Sequence, residues 1–186
     1  LSRDDFSEVF LFFDYDAHQT NLGKSDDGDV INQMLESFDN ETENGKLYIS
    51  YPMVEALRDF EAGKCGNGDN CFVEISDLAE YKNISSRNSL NPHFRDYNID
   101  VWKEIIDVFS MRISCLLGNA EVISYEQYLD EANPHDIFMC EQALAGNNKV
   151  FIISAFPEFL VDYFGMKLWK TCVKHAKNQL DICNCK

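Results

Sequence analysis

The run VFLFF at residues 9–13 ends abruptly on Asp14-Tyr15-Asp16. Five consecutive apolar side chains leave no polar face, so residues 8–13 read as a strand buried on both sides. Such a strand needs a covering layer on each face, which points to a sheet flanked by helices. The acidic loop DAHQTNLGKSDDGD follows. Val30, Ile31, Met34, Leu35 and Phe38 then repeat at helical spacing, with Asp27 or Gly28 as the cap. KLYIS at 46–50 reads as a second strand. Pro52 is placed to open the first turn of a helix that turns Met53, Val54, Leu57 and Phe60 inward. Strand, helix, strand, helix in sixty residues predicts an α/β unit with a partial parallel sheet flanked by helices.

The pattern changes after the glycine-rich stretch at 63–70. CFVEI is a short strand or extended connector. Residues 100–117 form a strongly amphipathic helical pattern, and further helices are expected at about 124–131 and 135–145. NNKVFIIS suggests one strand, over 149–154, that returns to the sheet. Pro157 then opens a last helix that bends at Gly165 and runs to about Leu180. The organisation expected is an α/β core over 1–63 and a mainly helical C-terminal part over 64–186. Trp102, Trp169, Phe109, Phe159, Tyr163 and Phe164 recur at helical spacing and read as core or partner-facing residues.

Asp14 and Asp16 stand at the carboxyl end of the first strand, where open parallel sheets bind ligands. Residues i and i+2 share a side of a strand, so both carboxylates can face one point. Two carboxylates that close repel unless a cation lies between them. Mg²⁺ or Mn²⁺, hard ions that prefer oxygen, fit that need, and would hold phosphate oxygens and activate a water. The plainer reading is a polar turn in which Asp caps the next segment. The second strand likewise runs into ISYPMVEAL, which supplies Ser50, Tyr51 and Glu55. Glu55 falls in a first helical turn, favourable for a carboxylate whether or not it has a chemical role. His18 is an accessory ligand or base, or a solvated loop histidine. His93, His135 and His175 form no pattern with it. Lys82, Arg87 and Arg95 are a phosphate contact or, more simply, a solvated face. No phosphate-binding glycine motif is present.

Hydrophobic strand, Asp-x-Asp, helix, strand and Ser-x-Pro-x-x-Glu together resemble the TOPRIM-type domains of bacterial defence proteins, the RloB-like and OLD-nuclease-like families. FFDYD is similar to their Asp-x-Asp element, and ISYPMVEAL to the turn before a Glu-bearing helix. The resemblance covers about residues 8–60. It implies a TOPRIM-like fold and Mg²⁺- or Mn²⁺-dependent phosphodiester cleavage of DNA or RNA in anti-phage defence. Asp14 and Asp16 would be the metal ligands, and Glu55 would complete the catalytic set. In those families a further Glu precedes the Asp-x-Asp on an earlier strand. Here only Asp4, Asp5 and Glu8 precede it, with no strand to present them. The chain, which begins with Leu1, is therefore expected to be a piece of a longer protein or to carry an incomplete site. FLFFDYDAH also resembles the first motif of haloacid-dehalogenase-type phosphatases. That implies Asp14 as nucleophile, Asp16 as general acid and Ser50 as a second hydroxyl, with Lys46 or Lys82 facing them. A third reading, from a different class, is a non-catalytic acidic interaction or regulatory module whose helical C-terminal part meets a protein partner.

Charge bears on that choice. With 32 acidic and 16 basic residues the net charge is −16, so the chain alone repels nucleic acid, and a nucleic-acid substrate requires bound cations. Seven irregularly spaced cysteines without CxxC pairs read as free thiols of a reducing, cytoplasmic protein. The apolar stretch 150–165 is broken by Pro157, Glu158 and Asp162, which argues against a membrane span.

Overall fold

The computed structural model describes residues 2–15, 25–61, 71–91 and 93–174. After a short 3-10 turn (Arg3–Asp5), strand β1 (Phe10–Asp14) leads to helix α1 (Ser25–Ser37), strand β2 (Asp39–Asn40) and strand β3 (Gly45–Ser50). β1 and β3 pair in parallel, with Phe10 opposite Lys46 and Asp14 opposite Ser50. β2 pairs antiparallel with the start of β3, so the order is β1-β3-β2 and the sheet is mixed. Gly45 enters β3 at φ 115°, and a Cβ there would sit 3.2 Å from Val9 Cγ1 and 3.3 Å from Val9 O. Only glycine suits that conformation and approach.

Burial differs from the expectation for β1. β3 is the enclosed strand, with Leu47, Tyr48, Ile49 and Ser50 all buried, whereas Phe12 is 40% and Phe13 47% exposed. The reason is topological: among the described residues β1 is an edge strand with one neighbour. The segment after Pro52 also departs from expectation. The Tyr51–Pro52 bond is cis, Met53 is extended, and only a six-residue 3-10 helix (Val54–Asp59) forms. Pro52 therefore does not open an α-helix. The short helix still buries Ala56 and Leu57.

Beyond it lie strand β4 (Phe72–Glu74), helix α2 (Leu78–Asn88), helix α3 (Ile99–Leu116), helix α4 (Tyr125–Glu131), helix α5 (Pro134–Ala145), strand β5 (Lys149–Phe151) and helix α6 (Ala155–Cys172). Side chains set the boundaries: Asn98, Ser124, Asn133 and Ser154 each accept backbone N–H bonds at a helix start. α6 is kinked at Gly165 (φ 65°, ψ −156°). β5 pairs antiparallel with β4, and a bridge between Tyr51 and Ile153 joins its continuation to the end of β3. The result is a mixed α/β fold with a small mixed sheet and a largely helical second half.

Two layers cover β3. α6 packs on one face, where Phe12 stacks on Tyr48 and on Phe156 at 5.8 and 5.2 Å. α1 and α5 pack against β3 as well, and Tyr15 meets Tyr51 and Phe138 at 4.9 and 6.4 Å. Side-chain alternation therefore sends Tyr48 and Ser50 towards α6, and Leu47, Ile49 and Tyr51 towards α5. α3 lies across α6, and buries Arg112 completely. Cys115, Cys140 and Cys172 lie within α3, α5 and α6 as thiols; Cys65, Cys183 and Cys185 fall outside the described residues. No described helix is long and apolar enough to cross a membrane.

Candidate metal site at the carboxyl edge of the sheet

Three chain segments end together. Asp14 closes β1, and Ser50, its register partner, closes β3. Ser154 follows the segment bridged to Tyr51, with Tyr51 N donating to Ile153 O at 2.7 Å and Ile153 N to Tyr51 O at 3.0 Å. Phe10 and Phe12 face α6, packing on Phe159 at 4.9 and 5.4 Å, so alternation places exposed Asp14 on the same side. The Ser50 hydroxyl accepts from Ala155 N at 3.3 Å, and the Ser154 hydroxyl caps Phe156 N at 3.4 Å. Ser50 thus stands at the N-terminus of α6, whose first two N–H groups Ser50 and Ser154 take up, and Asp14 stands opposite Ser50 in register.

The structure places the other sequence candidates as follows. Asp16 and His18 lie outside the described residues. Glu55 is buried on the 3-10 helix, its Oε1 2.9 Å from Lys82 Nζ, and its carbonyl accepts from Ser85 Oγ at 3.1 Å. Its carboxylate is therefore directed to α2. No three described His, Cys, Asp or Glu side chains converge as a metal-ligand group. Of the lysines considered for phosphate chemistry, Lys82 is held by Glu55. Lys46 is the second residue of β3, four residues from Ser50, and binds Asp162 Oδ2 at 2.6 Å. Arg87 Nε bonds the Asn83 carbonyl at 3.2 Å, and Arg95 is 81% exposed.

Sequence reasoning passed over a second polar constellation on α6. Asp162 accepts from Lys46, from the Tyr48 hydroxyl at 3.0 Å and from the Tyr128 hydroxyl at 2.8 Å. Burial and the nearby Asp162 carboxylate push both phenols well above their ordinary pKa. One turn earlier Glu158 is 1% exposed, and burial raises its pKa. A polar cavity of about 410 Å³, lined by Glu8, Glu41, Lys46, Tyr48 and Asp162, opens beside this network. The signal was present: two acids at i and i+4 interrupt an apolar stretch.

Glu141 is fully buried on α5. Its Oε2 accepts from Phe151 N at 3.0 Å, but desolvation outweighs this bond and raises its pKa well above 4.5. The native state then holds a proton that the unfolded chain releases. Glu141 accordingly lowers stability progressively as pH rises above about 4.5, with a limiting slope of roughly 1.4 kcal/mol per pH unit. Glu141→Gln is expected to flatten the decline in Tm between pH 5 and 8. Parallel Tm–pH curves for the two proteins would contradict this.

Comparison with protein-family models, curated proteins and solved structures finds no match to the chain.

Proposed function

We propose that the carboxyl edge of β1 and β3 binds Mg²⁺ or Mn²⁺ through Asp14 and Asp16 and cleaves phosphodiester bonds in nucleic acid. The observation that supports this reading most is the exposed Asp14 at the carboxyl end of a parallel strand pair, beside Ser50 and the N-terminus of α6. A bound cation would screen the negative edge and supply Lewis acidity to the phosphate and its attacking water. Asp14 and Asp16 would hold it. Glu55, committed to Lys82, acts as a positioning residue between the 3-10 helix and α2. A role in bacterial anti-phage defence, and the TOPRIM-like identity, follow from the resemblance alone.

The test is cleavage of end-labelled single-stranded DNA, duplex DNA and RNA with Mg²⁺ or Mn²⁺. Cleavage should disappear with EDTA and fall to background in Asp14→Asn, while Glu55→Gln loses about 10-fold. Equal cleavage by wild type and Asp14→Asn would refute the assignment. A non-catalytic interaction module is the second reading, favoured by a different feature. An apolar groove of about 420 Å³ between α3 and α6 is lined by Trp102, Ile106, Phe159, Leu160 and Phe164. The phosphatase reading lacks support, because both lysines it calls on have other carboxylate partners.

A further inference from the structure

One residue beyond Asp14 and Ser50, the chain turns two tyrosines inward. The hydroxyls of Tyr15 and Tyr51, and Oε1 of both Glu141 and Glu158, are buried with no hydrogen-bond partner among the described residues. Tyr15 is 2% exposed, Tyr51 1%, Glu141 0% and Glu158 1%. They come from the ends of β1 and β3, from α5 and from α6. Tyr15, Tyr51 and Glu141 are also neighbours. The tyrosine rings are 4.9 Å apart, Tyr15 lies 6.4 Å from Phe138, one turn before Glu141 on α5, and Tyr51 is bridged to Ile153, two residues beyond the Phe151 that binds Glu141.

Each such atom left alone in an apolar interior costs roughly 1–3 kcal/mol. Four of them together would cancel much of the 5–15 kcal/mol that holds a typical domain together. None of the four hydrogen-bonds another, so direct pairing does not satisfy them. A water molecule has two donors and two acceptor positions, and buried waters typically make about three bonds to groups of this kind. The Phe151 N–H bond fixes the Glu141 carboxyl, so its other oxygen has a defined direction.

We propose that Tyr15, Tyr51 and Glu141 enclose an internal hydration site in which ordered water ties the ends of β1 and β3 to α5. A monovalent cation would satisfy the same oxygens. Water is favoured because burial of Glu141 works against its charged form, which weakens its pull on a cation. Tyr15 and Tyr51 directly follow Asp14 and Ser50, and the site holds the two strand ends from the α5 face.

A crystal structure of the whole chain at atomic resolution tests this directly. The expected map has a peak at about 2.6–3.2 Å from Tyr15 Oη, Tyr51 Oη and Glu141 Oε1, without anomalous signal after a rubidium soak. The peak should be lost in a Tyr15→Phe, Tyr51→Phe variant. Rubidium signal at that position would overturn water in favour of a cation. Phenols bonded directly to Glu141 with no peak would overturn the site altogether. Should the variant fail to fold, the wild-type maps still decide.

Discussion

Replacing Arg112 with leucine lowers the free energy of unfolding by about 3–5 kcal/mol. The side chain is wholly buried on α3. Its Nη1 donates to Ile152 O at 2.7 Å and Nη2 to Asp59 O at 2.9 Å, and the guanidinium lies 4.8 Å from the Phe60 ring centre. One fork thus joins the end of the 3-10 helix to the segment that continues β5. Leucine fills part of the volume but strands two carbonyls. Lysine keeps the charge without the fork, and retains at most one of the two contacts. Arg112→Lys is therefore expected to lose about half as much. Urea unfolding at constant m value measures both, and a loss below 1 kcal/mol for Arg112→Leu would contradict the bridging role.

Asp162→Ala has the next largest expected effect, about 2–4 kcal/mol. One carboxylate serves Lys46, Tyr48 and Tyr128, so its removal orphans two buried phenols and an ammonium. The Lys46 ion pair, its side chains 23% and 15% exposed, contributes alongside the phenols. The phenols lose their acceptor in the interior, where Tyr48 is 1% and Tyr128 2% exposed. Asp162→Asn keeps an acceptor and should lose less than Asp162→Ala. In a double-mutant cycle with Tyr128→Phe the coupling is expected to exceed 0.5 kcal/mol. Additive losses would show that the bond does not hold α4 to α6.

The contrast between β1 and β3 shows what local sequence carries. VFLFF marks a strand because its run of apolar side chains is intrinsic to the segment. Which strand becomes central depends on pairing between distant segments, so the expectation of a doubly buried β1 failed while the plainer KLYIS became the enclosed strand. Helices with strong periodicity or clear caps, α3, α5 and α6, were legible, as was the bend at Gly165. α2 was missed because its inward residues, Leu78, Tyr81 and Ser85, include one small polar group that weakens the pattern. The Pro52 segment was misread because proline suits a helix start, but its cis bond and extended Met53 are set by the tertiary context. For the site, the position of Asp14 at a strand end was legible. The tie of Glu55 to Lys82 was not, because it joins elements 27 positions apart. The Asp162 network likewise spans α4, α6 and β3, and only its interruption of an apolar run hinted at it.

The central claim is that the carboxyl edge of β1 binds a divalent cation. Titration of Mg²⁺ and Mn²⁺ by calorimetry into the chain and into an Asp14→Asn, Asp16→Asn double variant tests it most directly, with matched circular dichroism to show that the variant is folded. Saturable binding by the wild type that vanishes in the variant is expected. Absence of binding in both, or equal binding in both, would contradict it and turn attention to the apolar groove and a protein partner.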